Sequence, residues 1–224
     1  MSWPFFDLRI VSGDVVLRGV TDADLPSLLA VLPEDLEMNP ANETFAGLSP
    51  DADRRRQLAA EVWKHRGTWS PDSWCLDLVI EVGGRVVGVQ ALEAEQFPLL
   101  RTVDSFSWLS ADVRGQGLAH LMRTGVLALA FEHLDAEVAV SSARTDNAPS
   151  LAVSYRMGYV DNGLSRTNTP TGPFELQHVR LTRDDWRAGA PSCVRIPCIG
   201  VGLAGAPTTV LARGNWRHRP CVTS

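Results

Sequence analysis

The sequence predicts an α/β (α+β) fold, a mixed central sheet of about six to seven strands flanked by helices. Three observations predict it. Strand and helix patterns alternate in the order strand, helix, helix, three strands, helix, strand, helix, strand, with no internal repeat. Two of the strands meet at Gly83-Gly84, a hairpin signal. The longest apolar helical pattern opens directly after DVRGQG, so a glycine turn joins a strand to a helix.

The elements follow in order. DVVLRGV (Asp14 to Val20) alternates as a strand does, and TDADLPSLLAVL continues as a helix capped by Thr21 or Asp22. LPEDLEMNPANETFAGLSP carries Pro33, Pro40 and Pro50 among Asn and Asp residues and reads as an irregular connection. DADRRRQLAAEVWKHR is a second helix. WCLDLVIEVGGRVVGVQALEAE supplies the hairpin, TVDSFSWLS (Thr102 to Ser110) a further strand, and LAHLMRTGVLALAFEHL a helix with Leu118, Leu121, Met122, Gly125 and Leu129 on one face. AEVAVSSA (Ala136 to Ala143) is the next strand, NAPSLAVSYRMGY a short helix ending at Gly158, and FELQHVRLT a last strand.

A length of 224 residues, 45% hydrophobic and 21% charged, suits one domain with additions. The net charge of −5 argues against a nucleic-acid partner and leans towards cationic ones such as amines. No apolar run approaches membrane-spanning length, and MSWPFFDLRI lacks a basic-then-apolar leader, so the expectation is a cytoplasmic protein with no membrane contact. Residues 187–224 contain five arginines and no acidic residue, leaving the rest distinctly acidic; residues 1–186 are read as the domain and 187–224 as a basic appendage. Cys75, Cys193, Cys198 and Cys221 make no disulfide framework. Cys193 and Cys198 with His218 and Cys221 have a loose zinc-like spacing that nothing requires to converge, so no metal is expected.

A glycine turn at the mouth of a helix leaves backbone N–H groups unpaired at the positive end of the dipole, a cradle for phosphate. A dinucleotide site would want a third glycine where His120 stands, and a P-loop a Gly-Lys-Ser/Thr end that is missing. Arg114, Gly115, Gln116, Gly117, Leu118 and Ala119 instead meet the Gln/Arg-x-x-Gly-x-Gly/Ala signature of the GNAT superfamily of acetyl-CoA-dependent N-acyltransferases. The layout over roughly residues 8 to 186 resembles that fold. SWLSADVRGQGLA followed by DNAPSLAVSYRMGY most resembles the RimJ/RimL-like ribosomal-protein N-terminal acetyltransferases.

The resemblance implies a sheet splayed at the strand before the glycine turn and a coenzyme A pyrophosphate on the N–H groups from Gly115 to Ala119, with Arg114 adding charge. The strand edge at Ser107 to Leu109 would pair with the pantetheine arm; the Trp108 side chain is read as core. Asn147 falls at a position that bonds the pantetheine and Ser150 at one near the adenine or phosphate, although each is equally a helix-opening residue. A neutral amine and a departing thiolate call for a base and an acid. Glu93 and Asp104 are the carboxylates available as base, with solvated strand charge as the alternative. For the acid the family often uses a Tyr four residues before the Gly of its Gly-aromatic ending; here that position is Ser154, while Tyr155 is rotated by about 100 degrees. Both stay candidates. Glu34, Asp35, Glu37 and Glu43 lie in the loop that lines the acceptor side in this family, or form a solvated acidic face.

The reading is an acetyltransferase that takes acetyl from acetyl-CoA to a primary amine, on a protein N-terminus or a small molecule. A catalytically silent acyl-CoA-binding module is the alternative, motivated by the displaced Tyr. A nicotinamide dehydrogenase is disfavoured, because Glu137 opens the next strand instead of closing it. The acceptor and the oligomeric state stay open, a homodimer included.

Overall fold

The computed structural model describes residues 3–39, 42–169, 172–189 and 194–198. Its elements are β1 (Arg9–Ser12), β2 (Val15–Gly19), α1 (Leu25–Ala30), α2 (Pro50–Gly67), β3 (Trp74–Val82), β4 (Arg85–Ala94), α3 (Phe97–Leu100), β5 (Thr102–Asp104), β6 (Ser107–Leu109), α4 (Leu118–Ala128), β7 (Val138–Arg144), α5 (Ala148–Arg156), β8 (Val160–Thr169), β9 (Gly172–Thr182), α6 (Arg183–Gly189) and β10 (Val194–Cys198). All ten strands join one mixed sheet in the order β10-β1-β2-β3-β4-β5-β7-β9-β8, with β6 on β4. The fold class stands, with more strands than the about six to seven that periodicity predicts.

The extra strands have physical reasons for escaping notice. β1 is a four-residue strand between β10 and β2, and it pairs with β2 through Arg9↔Arg18 to Ser12↔Val15. β8, VDNGLSRTNT, has almost no apolar alternation; its pairing with β9 carries it out from the core as an exposed ribbon. β10 pairs antiparallel with β1 and takes part of the basic appendage onto the sheet edge. The Cys193, His218 and Cys221 of the zinc-like spacing lie outside the described residues, as does the Cys198 side chain.

Two cores flank the sheet. Leu17, Leu76, Leu78, Ile80, Leu92, Val103 and Leu109 point to one face, where α4 lies on them with Leu118, Met122 and Val126. Val79, Val89 and Trp108 point to the other, against Leu25 and Leu28 of α1 and Leu58 and Val62 of α2. α4 is buried nearly all round from Met122 onward. It sits low on β1 and β2 because Gly125 has no side chain; a Cβ there would come within 3.1 Å of Ile10 Cγ2 and 3.2 Å of Leu17 Cδ1. After Ala128 the helix finishes in one wide turn, Leu129–His133, which keeps Leu129 and Phe131 in the core.

α2 carries its own restraints. Ser49 caps it by accepting from the Ala52 N–H at 3.2 Å, and Pro50 opens it. Lys64, His65 and Arg66 in its last turn suit the negative end of the dipole. No helix among the described residues is long and apolar enough to cross a membrane.

Candidate active site

The sheet opens where the sequence reading expects. β5 and β6 continue one strand against β4, since Glu93↔Asp104 and Gln90↔Ser107 keep the same register. Towards β7 the strand behaves differently. Parallel pairing holds only at Thr102↔Val138, Val103↔Ala139 and Asp104↔Val140. Beyond that point β6 stays with β4, while Ser141 to Arg144 of β7 stay with β9. The two edges part from Ser105 onward and leave strand-edge N–H and C=O groups facing a wedge-shaped gap.

The glycine turn stands at the wide end of this wedge. Ser110 Oγ donates to Asp112 Oδ1 at 2.6 Å and Arg85 donates to Asp112 Oδ2 at 2.6 Å, fixing the entry to the turn. Gly115 and Gly117 take φ of +78° and +82°, the left-handed region that disfavours side chains, and Gly117 is the N-cap of α4. A Cβ on either would meet no protein atom within 4 Å. The glycines are therefore demanded by backbone conformation and leave open space above the turn. Among the described residues, no acceptor takes the Gly115, Gln116 and Gly117 N–H groups, and Leu118 and Ala119 follow as first-turn residues whose N–H groups point the same way. That is what a pyrophosphate would need.

Arg114 is engaged elsewhere. Its guanidinium holds Asp35 through two bonds of 2.6 and 2.8 Å and donates from Nε to the Leu109 carbonyl at 3.2 Å. Across the gap Arg144, at the end of β7, reaches Glu37 at 3.2 Å and Asp146 at 2.9 Å. The acidic loop is thus tied to both lips of the wedge, and two of its carboxylates are already paired. Glu34 and Glu43 are exposed.

Trp108 is buried in the α1/α2 core, as read from the sequence, and Leu109 in the α4 core. Asn147 caps α5, its Oδ1 accepting from the Ser150 N–H at 3.2 Å. The capping alternative for Asn147 is therefore a structural fact, and it uses only one of the side chain's polar atoms.

Glu93 and Asp104 face each other across β4 and β5 on the α2 side, at the closed end of the wedge. Burial pushes the Glu93 carboxyl up, and the neighbouring Asp104 charge pushes it further. Asp104 is raised by burial too, opposed by the Ser105 N–H bond of 2.6 Å and by the Arg123 charge. Both are half-buried groups with raised proton affinity, the state expected of a base and unlike a solvated strand charge. Cys75, paired with Glu93, and Asp77, hydrogen-bonded to His65 Nδ1 at 2.9 Å, extend this polar row along the sheet.

The two acid candidates each have a partner of their own. Tyr155 is 44% exposed and its hydroxyl donates to Asp161 at 2.7 Å, which raises its proton affinity. Ser154 is buried, with Oγ donating to the Ser150 carbonyl at 3.3 Å. Sequence reading missed the groups on the α4 side of the closed end: Gln90, Ser105, Arg123, Ser141 and Tyr159, all buried. One signal for Arg123 was available, since a helix with apolar residues all round has no wet face for an arginine.

Residues 14–160 match the acetyltransferase (GNAT) domain family. Solved structures share the fold at low identity. RimJ from Mycobacterium smegmatis, in complex with a CoA-disulfide, matches with a TM-score of 0.66 and 21% identity over 80% of this chain and 87% of its own. The ribosomal alpha-N-protein acetyltransferase RimL, in complex with coenzyme A, matches at 0.62 and 17% over 78% and 97%. A spermidine N-acetyltransferase SpeG chimera from Vibrio cholerae matches at 0.61 and 12% over 78% and 99%. With the family match covering most of the described chain and the open wedge beside a glycine-capped helix, the chain belongs to the GNAT acetyltransferase family and is an acyl-CoA-dependent N-acetyltransferase.

Proposed function

We propose that this chain takes its acetyl group from acetyl-CoA, held on the α4 side of the wedge, and delivers it to a primary amine approaching from the α2 side. The observation that carries this reading is the parting of β6 from β7 next to three unpaired N–H groups at the start of α4. The residues present fit the donor: the glycine turn has room where a Cβ would intrude, and the free strand edges offer amide partners for the pantetheine. When bound, the thioester supplies an activated acyl carbon.

The chain's own residues do the rest. Gly115 to Ala119 hold the phosphates, Ser107 to Leu109 align the arm, and Asn147 and Ser150 line the opposite lip. Glu93 and Asp104 attract a cationic amine and take its proton, because two half-buried carboxylates with raised proton affinity bind a proton near neutral pH better than an exposed one does. This carboxylate pair supports a cationic acceptor, either a protein N-terminus, as the name of RimL describes for that enzyme, or a polyamine such as the one named for SpeG.

A thiol-release assay with acetyl-CoA over N-terminal peptides, spermidine and simple amines tests both halves. Release with one class and not the other identifies the acceptor. A folded protein that neither binds acetyl-CoA by calorimetry nor releases thiol with any amine would overturn the reading.

A further inference from the structure

The closed end of the wedge has two unlike faces. Strand register puts Asp104, Phe106 and Trp108 on the α2 side, and Val103, Ser105, Ser107 and Leu109 on the α4 side. Gln90 pairs across from Leu78 and shares the α4 side; Ser141 pairs across from Val179 and does the same. The carboxylates therefore sit on one face of the wedge and an uncharged polar set on the other.

Arg123 joins that second set from above. Its residue is only 6% exposed, yet Nε and Nη1 have no hydrogen-bond partner, and no carboxylate lies within ion-pair distance of it among the described residues. Tyr159, 3% exposed and just past α5, has a hydroxyl with no hydrogen bond of normal geometry; burial raises its proton affinity, and the Arg123 guanidinium lies close enough to oppose that rise. Gln90 Oε1 and Ser105 Oγ are also buried without partners. Five of the seven such atoms among the described residues thus belong to this one place. An arginine stays charged inside a protein, so a buried guanidinium with free N–H groups is poised for an anion that arrives with a ligand.

The height of Arg123 says which part of the ligand it meets. α4 runs back along the sheet between the parallel strands β5 and β7. Arg123 lies six residues beyond Gly117, about 9 Å down the helix. Ser105 and Phe106 lie three to four residues before Leu109, about 10 to 13 Å down the strand. Arg123 is therefore level with the point where the strands part, far from the phosphate cradle.

We infer that Arg123, with the Tyr159 hydroxyl beside it, stabilises the negative charge that develops on the coenzyme A sulfur when the acetyl group leaves. This rests on the donor site proposed above. In the transfer the amine nitrogen bonds to the acyl carbon and the carbon–sulfur bond breaks, its electron pair remaining on sulfur. The incoming ammonium gives one proton to a carboxylate of the Glu93–Asp104 pair before attack, and the second proton, released as the amide forms, goes to the other carboxylate of that pair on the opposite face. The thiolate stays paired with the Arg123 charge until the product leaves and takes a proton from water. A preorganised cation aimed at developing charge costs no reorganisation during the reaction. It also removes the need for a side-chain acid, consistent with Tyr155 facing solvent and Ser154 being occupied.

The test reads the product, not the turnover. The full chain is saturated with coenzyme A, and thiolate absorbance is followed against pH, with desulfo-coenzyme A as the blank that cancels the protein's own thiols. The groups facing the sulfur are Arg123 from α4, Tyr159 from the turn between α5 and β8, and Asp104 and His178 through the sheet from β5 and β9. A free thiol titrates near pH 8.5, and bound coenzyme A is expected to titrate about one unit lower or more. Arg123→Met should return the value to that of free thiol or above, with affinity for desulfo-coenzyme A kept; Tyr159→Phe should move it part of the way. A bound thiol in the native chain that titrates at or above the free value overturns the inference, whatever the variants do. Failure of the native chain to bind coenzyme A would instead strike the donor site itself.

Discussion

Gly117→Val separates the cost of a left-handed residue from the cost of blocking a ligand. At φ +82° a branched side chain is strained by about 1 to 3 kcal/mol, and a Cβ there meets no protein atom within 4 Å, so strain is the whole cost to the fold. For a domain of this size that corresponds to a fall in Tm of roughly 2 to 12 °C. The donor loses more. A side chain above the turn stands where the phosphates would lie, and each charge-assisted hydrogen bond lost is worth about 1.5 to 3 kcal/mol. Two such losses weaken affinity by about two orders of magnitude or more. Gly84 supplies the control: it has φ +77°, open space around it and a place in the β3–β4 hairpin, next to the Arg85 that holds Asp112 but with no N–H in the phosphate turn. Gly84→Val should lower Tm by a similar amount and leave acetyl-CoA affinity unchanged in calorimetry. If Gly117→Val is folded and binds like the native chain, or if Gly84→Val loses binding equally, the phosphate-cradle reasoning is refuted.

Further outcomes follow from the same geometry. With Glu93 as base, activity requires its carboxylate, and the raised proton affinity places the acid limb of the kcat/KM profile above the usual carboxylate range; Asp104→Asn removes a charge that raises Glu93 and should move that limb to lower pH, whereas Glu93→Gln should abolish it. An unmoved limb in Asp104→Asn would assign the base elsewhere. Tyr155→Phe should leave kcat within about twofold of native, because its hydroxyl is spent on Asp161 at the surface; a drop of tenfold would restore it as the acid. Asp24, bound by Arg18 at 2.6 and 2.7 Å, is lowered to about 2, so its contribution is present above the unfolded value near 4 and is lost as pH falls through 2. That amounts to about 2 kcal/mol, visible as a loss of urea stability between pH 4 and 2 that Asp24→Asn should flatten. Deleting residues 190–224 removes β10 from the edge of β1, four strands away from β4 and the wedge. The shortened chain should still bind acetyl-CoA but self-associate more through the uncovered edge; loss of binding would show that the appendage supports the site.

Much of the proposed site was legible in one dimension because its parts are local. A phosphate cradle is a single turn, and Gly115 and Gly117 announce it by being the residues a left-handed backbone tolerates; the hairpin at Gly83-Gly84 and the burial of Trp108 follow from the same short-range logic. The extra strands were not legible, since β8 has too little apolar alternation to mark it and β10 is defined by its partner β1. Nor could spacing alone decide between Ser154 and Tyr155, because the direction of a side chain near a helix end depends on what packs beside it; here Asp161 claims the tyrosine. The sequence by itself determined the order of the longer elements, the family and the glycine turn proposed to bind the donor. Only the tertiary structure decided that Glu93 and Asp104 oppose each other on one face of the parted strands, that Asp35 and Glu37 are tied to the lips, and that Arg123 lies buried and unpaired on the other face. Those relations join residues far apart in the chain, and they arise from sheet register and helix packing, which no local pattern encodes.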